Sequence, residues 1–259
     1  MTLSIGIKLE HPRAHGISPI ILISDSRYTM DNNNYSDDGK KIWQLEKNIA
    51  VAFSGDVGLG ESAISTLKEQ LQLTESGTLD YLKKILKSSF DSVINPGYEQ
   101  NPHCILGIVP KNWHSILLYA RPLNTEYEIV EKSKVCIGQE SLEKELIIKI
   151  NEPPNGPGLM SLDSFMVWPD EVYINDEQRI QQAIHDAHQI SSYIAFRFYE
   201  LVSDDNKKYV NPPIQNVVIT PAGCKELIMF DIENKNNIKK VSAGLDEVYG
   251  ARVERAGPK

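Results

Sequence analysis

Thr2 stands directly behind the initiator methionine, at the head of Leu3-Ser4-Ile5-Gly6-Ile7. A small second residue normally permits methionine removal, which would leave a threonine carrying both a hydroxyl and a free α-amine. Those two groups form a nucleophile and a base with no linker between them. Many chains begin Met-Thr and use neither group, so Thr2 gains meaning only from what is placed around it. Three polar clusters are candidates for that role. Asp25-Ser26-Arg27 ends one apolar run, Lys40-Lys41 follows Gly39, and Ser54-Gly55-Asp56 ends a second apolar run. In a sheet built from hairpins these strand ends converge on the first strand, where Thr2 sits. Each cluster also has an ordinary explanation: an ion pair at a sheet edge, a solvated turn, a strand terminator.

The elements that must carry these residues are readable from periodicity. Leu3 to Lys8 alternates as a strand does, and Ile20-Ile21-Leu22-Ile23 is an unbroken apolar run of the kind buried on both faces. The polar stretch Asp31 to Gly39 reads as a loop, followed by a hairpin of Lys41 to Leu45 and Asn48 to Phe53 turning at Glu46-Lys47. After Gly58-Leu59-Gly60, Ala63, Ile64, Leu67 and Leu71 recur at helical spacing. Leu79, Leu82, Ile85, Leu86, Phe90 and Val93 do so again. Strands are expected at Cys104 to Val109, Ser115 to Tyr119, Tyr127 to Val130 and Lys134 to Ile137, then a helix from Leu142 to Ile150. A Pro/Gly-rich insertion over 151–170 precedes a long helix, roughly Asp176 to Val202. Ile214 to Thr220 and Lys225 to Asp231 form a closing hairpin. The order of strands, two helices, strands, two helices and strands predicts an α/β (α+β) fold: a four-layer α/β/β/α sandwich of two sheets flanked by helices. Without repeats or a linker, residues 1–259 read as one domain.

Composition narrows the partners. A net charge of −8 with no basic stripe argues against nucleic acid. No apolar run approaches the roughly 20 residues that span a bilayer, and the N-terminus has no basic-then-apolar signal pattern. Three cysteines without CxxC spacing fit reduced core thiols better than disulfides or zinc. A cytoplasmic location with no cofactor is the expectation.

Taken together, the clusters resemble proteasome β-type subunits and the peptidase of the related bacterial ATP-dependent ring protease, both N-terminal nucleophile hydrolases. The family pattern of a threonine followed by glycine appears as Thr2 and Gly6. Its acidic-x-Arg-x-Thr-Met run appears as Asp25-Ser26-Arg27-Tyr28-Thr29-Met30. Gly-Lys-Lys appears as Gly39-Lys40-Lys41-Ile42, and the glycine turn as Phe53-Ser54-Gly55. The match is good over about the first 70 residues. Beyond them Val135-Cys136-Ile137-Gly138 and Asn216-Val217-Val218-Ile219-Thr220 fall where the family has strands.

The resemblance implies mainly antiparallel sheets and a threonine peptidase. Thr2 Oγ would attack an amide carbonyl while the Thr2 amine relays the proton. Lys41 would lie beside the hydroxyl, its proton affinity lowered by the neighbouring ammonium. Asp25 would orient Lys41, and the Gly55 N–H would face the oxyanion. Arg27 and Ser141 are the supporting candidates. Ser141 enters because Gln139-Glu140-Ser141 follows Gly138, where the family places a serine. The family's late Asp, Ser and glycine run does not register with Ser203-Asp204-Asp205. The resemblance further implies a homo-oligomeric ring or helical stack acting on peptide or unfolded-protein substrates, with no partner ATPase named. Two alternatives share the fold: an assembly subunit that keeps Met1, and a small-amide hydrolase with the same nucleophile.

Other signals carry less. His185 and His188 flank Asp186 on the long helix and read as a solvated face rather than a metal pair. Cys104, Cys136 and Cys224 read as inert core thiols. Gly58-Leu59-Gly60 lacks the lysine of a phosphate loop.

Overall fold

In a computed structural model the described residues are 3–9, 18–29, 35–36, 39–72, 78–110, 114–138, 140–151, ten helical positions between 187 and 201, and 214–230. Thr2, the 151–170 insertion apart from its first residue, His185 and the start of the long helix lie outside them.

Two antiparallel five-stranded sheets form the centre. The first has the order β10 (Lys134–Gly138), β1 (Leu3–Lys8), β2 (Ile20–Ser24), β11 (Ile214–Thr220), β12 (Gly223–Phe230). The second runs β5 (Ile42–Glu46), β6 (Ile49–Ser54), β7 (His103–Ile108), β8 (Ile116–Pro122), β9 (Tyr127–Glu131). Helices α1 (Val57–Gln72) and α2 (Leu79–Asp91) cover the second sheet, and their apolar stripes enter one core with Phe53, Leu106 and Leu118. Helix α3 (Glu140–Asn151) and the helical positions up to 201 cover the first sheet, packing Leu146, Ile194 and Phe198 against Ile5, Ile23 and Val218. A third core lies between the sheets.

The run at β2 shows how the sequence builds these layers. Successive strand residues face opposite sides. Ile21 and Ile23 therefore join the core under the helices, while Ile20 and Leu22 join the core between the sheets. A strand with water on one side would have had to alternate. The sheets also approach closely: a Cβ on Gly6 would lie 2.6 Å from Ile105 Cγ2, and one on Gly107 would lie 2.6 Å from Ile219 Cδ1. Only the lack of a side chain at these two positions allows that spacing.

Several boundaries differ from the sequence reading. The 31–39 loop contains β4 (Tyr35–Ser36), which pairs with β3 (Tyr28–Thr29) as a two-stranded ribbon, in keeping with the β-preference of Tyr and Thr. The hairpin turns at 47–48, one residue later than expected, which leaves Lys41 just ahead of β5. Helix α1 starts at Val57, before the glycines, because Asp56 caps it: the Leu59 N–H donates to Asp56 Oδ1 at 2.9 Å. Thr78 caps α2 in the same manner through the Tyr81 N–H.

Candidate active site

At the end of β2 the chain leaves the sheet as Asp25-Ser26-Arg27, with Asp25 fully buried. Both carboxylate oxygens are engaged. Oδ1 accepts the Leu3 N–H at 2.8 Å, while Oδ2 accepts the Arg27 N–H at 3.0 Å and the Lys41 ammonium at 3.0 Å. Lys41 Nζ also donates to the Arg27 carbonyl oxygen. The nitrogen of Leu3 is that of the Thr2–Leu3 peptide bond. One carboxylate therefore ties the first residues of β1 to a lysine held ahead of β5.

Neither charge meets solvent, since both side chains are wholly inaccessible. Burial pushes the Asp25 carboxyl above its usual value, against the opposing pull of the Lys41 ammonium and the Leu3 and Arg27 N–H groups.

The backbone of Lys41 is as firmly held as its side chain. Gln215 on β11 accepts the N–H groups of Lys41 at 2.8 Å and Ile42 at 3.0 Å on its Oε1. Its Nε2 donates to Ser26 Oγ at 2.9 Å and to the Gly39 carbonyl oxygen. The Phe53 N–H donates to the Lys41 carbonyl at 3.3 Å, so the end of β6 lies alongside the lysine.

Gly55 follows two residues later with φ +109°, a left-handed conformation that favours glycine. A Cβ there would also lie 2.8 Å from the Gln100 carbonyl oxygen and 2.9 Å from Pro102 Cα. The segment it presses against is fixed by buried Asn101, whose amide bonds the Asn95 N–H at 2.9 Å, the Asn95 carbonyl at 2.7 Å and the Tyr98 carbonyl at 2.9 Å. Among the described residues, no partner takes the Gly55 N–H.

The structure thus brings Asp25, Lys41 and the strand end before Gly55 together at the start of β1. Arg27 takes part through its main chain, as donor to Asp25 and acceptor from Lys41. Ser141 falls in the first turn of α3, directly after β10, whose Gly138 pairs with Leu3; its side chain is outside the described residues. Gln215 was not among the candidates from sequence, and Ser26 was named only as part of its cluster, with no role of its own. A glutamine inside the apolar run Ile214 to Thr220 was the signal for the first.

The remaining candidates stay out of this site. Cys104 is buried beneath α1 and α2 and its thiol is raised by burial, as are those of Cys136 and Cys224. Gly58 and Gly60 belong to α1. His188 is half-buried on the helical segment instead of lying on an open face.

Comparison with known proteins bears on the fold that holds these residues. The family model described as "Proteasome subunit" matches residues 16–91, which span Asp25, Lys41 and Gly55. Among solved structures the chain is similar to a Gly-1 mutant of Anbu from Hyphomicrobium sp. strain MC1. The TM-score is 0.60 at 13% sequence identity, covering 100% of this chain and 98% of that one. That likeness is one of fold. No curated protein matches the sequence.

Proposed function

We propose that this chain, similar to proteasome subunits over residues 16–91 and in fold, is an N-terminal nucleophile hydrolase cutting peptide bonds with Thr2 after removal of Met1. The observation that carries the reading is the bifunctional Asp25 carboxylate, which holds the Thr2–Leu3 amide on one oxygen and the buried Lys41 ammonium on the other.

In this mechanism Thr2 Oγ attacks the substrate carbonyl and the Thr2 amine takes its proton, directly or through water. Lys41, held by the carboxylate that also takes the Leu3 N–H, stabilises the charge that develops on the hydroxyl. Asp25 keeps Lys41 in place and balances its charge. The Gly55 N–H, which has no partner among the described residues, donates to the oxyanion; loss of such a donor costs about 3 kcal/mol of transition-state stabilisation in other hydrolases. The resulting ester on Thr2 is then cleaved by water. We place the protein in the cytoplasm, as a homo-oligomeric ring or helical assembly acting on peptides or unfolded chains.

Intact mass of the purified protein and a Thr2→Ala variant test the assignment. Loss of Met1 and a fall in peptidase activity to background in Thr2→Ala are expected. Retained methionine would point to an assembly subunit, and full activity in Thr2→Ala would remove Thr2 from the mechanism.

A further inference from the structure

We infer that Gln215 is a positioning residue for the nucleophile, holding the catalytic lysine from the opposite sheet. The inference rests on the assignment of Thr2 and Lys41 above. Its own basis is the hydrogen-bond network of one side chain, which comes from β11, far along the chain from every other residue of the site.

The Gln215 amide is buried and engaged at both ends. On one end Oε1 takes two backbone N–H groups, those of Lys41 and Ile42. On the other, Nε2 gives its hydrogens to Ser26 Oγ and the Gly39 carbonyl. The orientation of the amide is fixed by its partners, because two N–H groups demand an oxygen and a carbonyl demands a nitrogen. Two segments are joined in this way: 25–27, which supplies the carboxylate, and 39–42, which supplies the lysine.

The joining matters because the Lys41–Asp25 contact spans two sheets. Asp25 leaves β2 in the first sheet and Lys41 enters β5 in the second. Any relative slip of the sheets at this end would change the separation of Lys41 from the start of β1. Displacements of about 1 Å in a reacting constellation lower rates by up to about a hundredfold. Gln215 resists such slip at the residue on which the chemistry depends, without touching the reacting atoms.

The test uses covalent labelling of the intact protein by a peptide vinyl sulfone, an electrophile that consumes an N-terminal hydroxyl nucleophile and is read by mass. Gln215→Leu removes all four hydrogen bonds. Gln215→Glu keeps the acceptor for the Lys41 and Ile42 N–H groups and loses the donor to the Gly39 carbonyl and to Ser26 Oγ, of which only the hydroxyl can turn to donate in return. For Gln215→Leu the maximal labelling rate should fall about tenfold or more while the half-saturating probe concentration stays within about twofold. For Gln215→Glu the fall should be smaller, about threefold, again in rate alone. A folded Gln215→Leu protein that labels at the wild-type rate overturns the inference, as does a loss carried by probe affinity. Should Gln215→Leu fail to fold, Gln215→Glu decides on the same criteria. A wild-type protein that does not label at Thr2 overturns the parent assignment, and this inference with it.

Discussion

Burying an ammonium costs several kcal/mol unless an anion and hydrogen-bond acceptors answer it. Lys41 is answered by Asp25 and the Arg27 carbonyl, so the pair must be judged as a unit. Lys41→Met leaves a buried carboxylate and Asp25→Leu leaves a buried ammonium; each should lower stability by about 3–5 kcal/mol. The double variant should recover part of that loss, because no buried charge is left unopposed while the Leu3 and Arg27 N–H groups lose their acceptor. It should nevertheless be inactive. Urea midpoints of the three variants, set against their peptidase rates, check this, and a double variant as unstable as the sum of the singles would contradict it. Asp25 and Gly55 stand out in the sequence because each follows an apolar run, and Lys41 because it follows the polar stretch ending at Gly39, but their roles came from the family resemblance alone. Gln215 was not tied to them, because nothing local says which distant backbone a buried amide will satisfy.

Strands carried the clearest signals, and their pairing explains why some positions are sensitive to conditions. His103 begins β7 and lies opposite Ser54 of β6, while its Nδ1 is 2.7 Å from Tyr119 Oη on β8. Burial, and secondarily the charge of Arg121, lowers its pKa from the ordinary 6.5. The fold thus prefers the neutral ring. Its contribution is intact above the unfolded value and is lost as pH falls from about 6.5 down through the folded value. Stability measured by urea between pH 7.5 and pH 5 should decline less steeply in His103→Gln than in the wild type; parallel declines would show that His103 does not set the acid limb. The doubly buried run at β2 was readable, as were the stripes of α1 and α2. The start of α1 was misread because Asp56 works as a cap, which let the helix include two glycines. The ribbon of β3 and β4 was missed because two-residue strands leave almost no periodicity.

At the scale of the molecule, the α/β/β/α order was legible because strand blocks and helix blocks alternate. The spacing between the sheets was not, since it depends on Gly6 meeting Ile105 and Gly107 meeting Ile219 across long separations. The assembly proposed above predicts a mass several times that of one chain by light scattering at micromolar concentration. A monomer would remove the proposed ring or helical assembly while leaving the proposed chemistry of the site in place.

The position of β11 has a consequence in time. This strand is the neighbour of β2 and the source of the amide beneath Lys41, yet it is synthesised well after both of the segments it links. Until it emerges, β2 has an open edge and the lysine segment lacks its anchor. A nascent chain that has emerged only as far as residue 213 therefore carries Asp25 and Lys41 without the amide that links their segments. The order of translation itself delays completion of the candidate site until β11 has emerged.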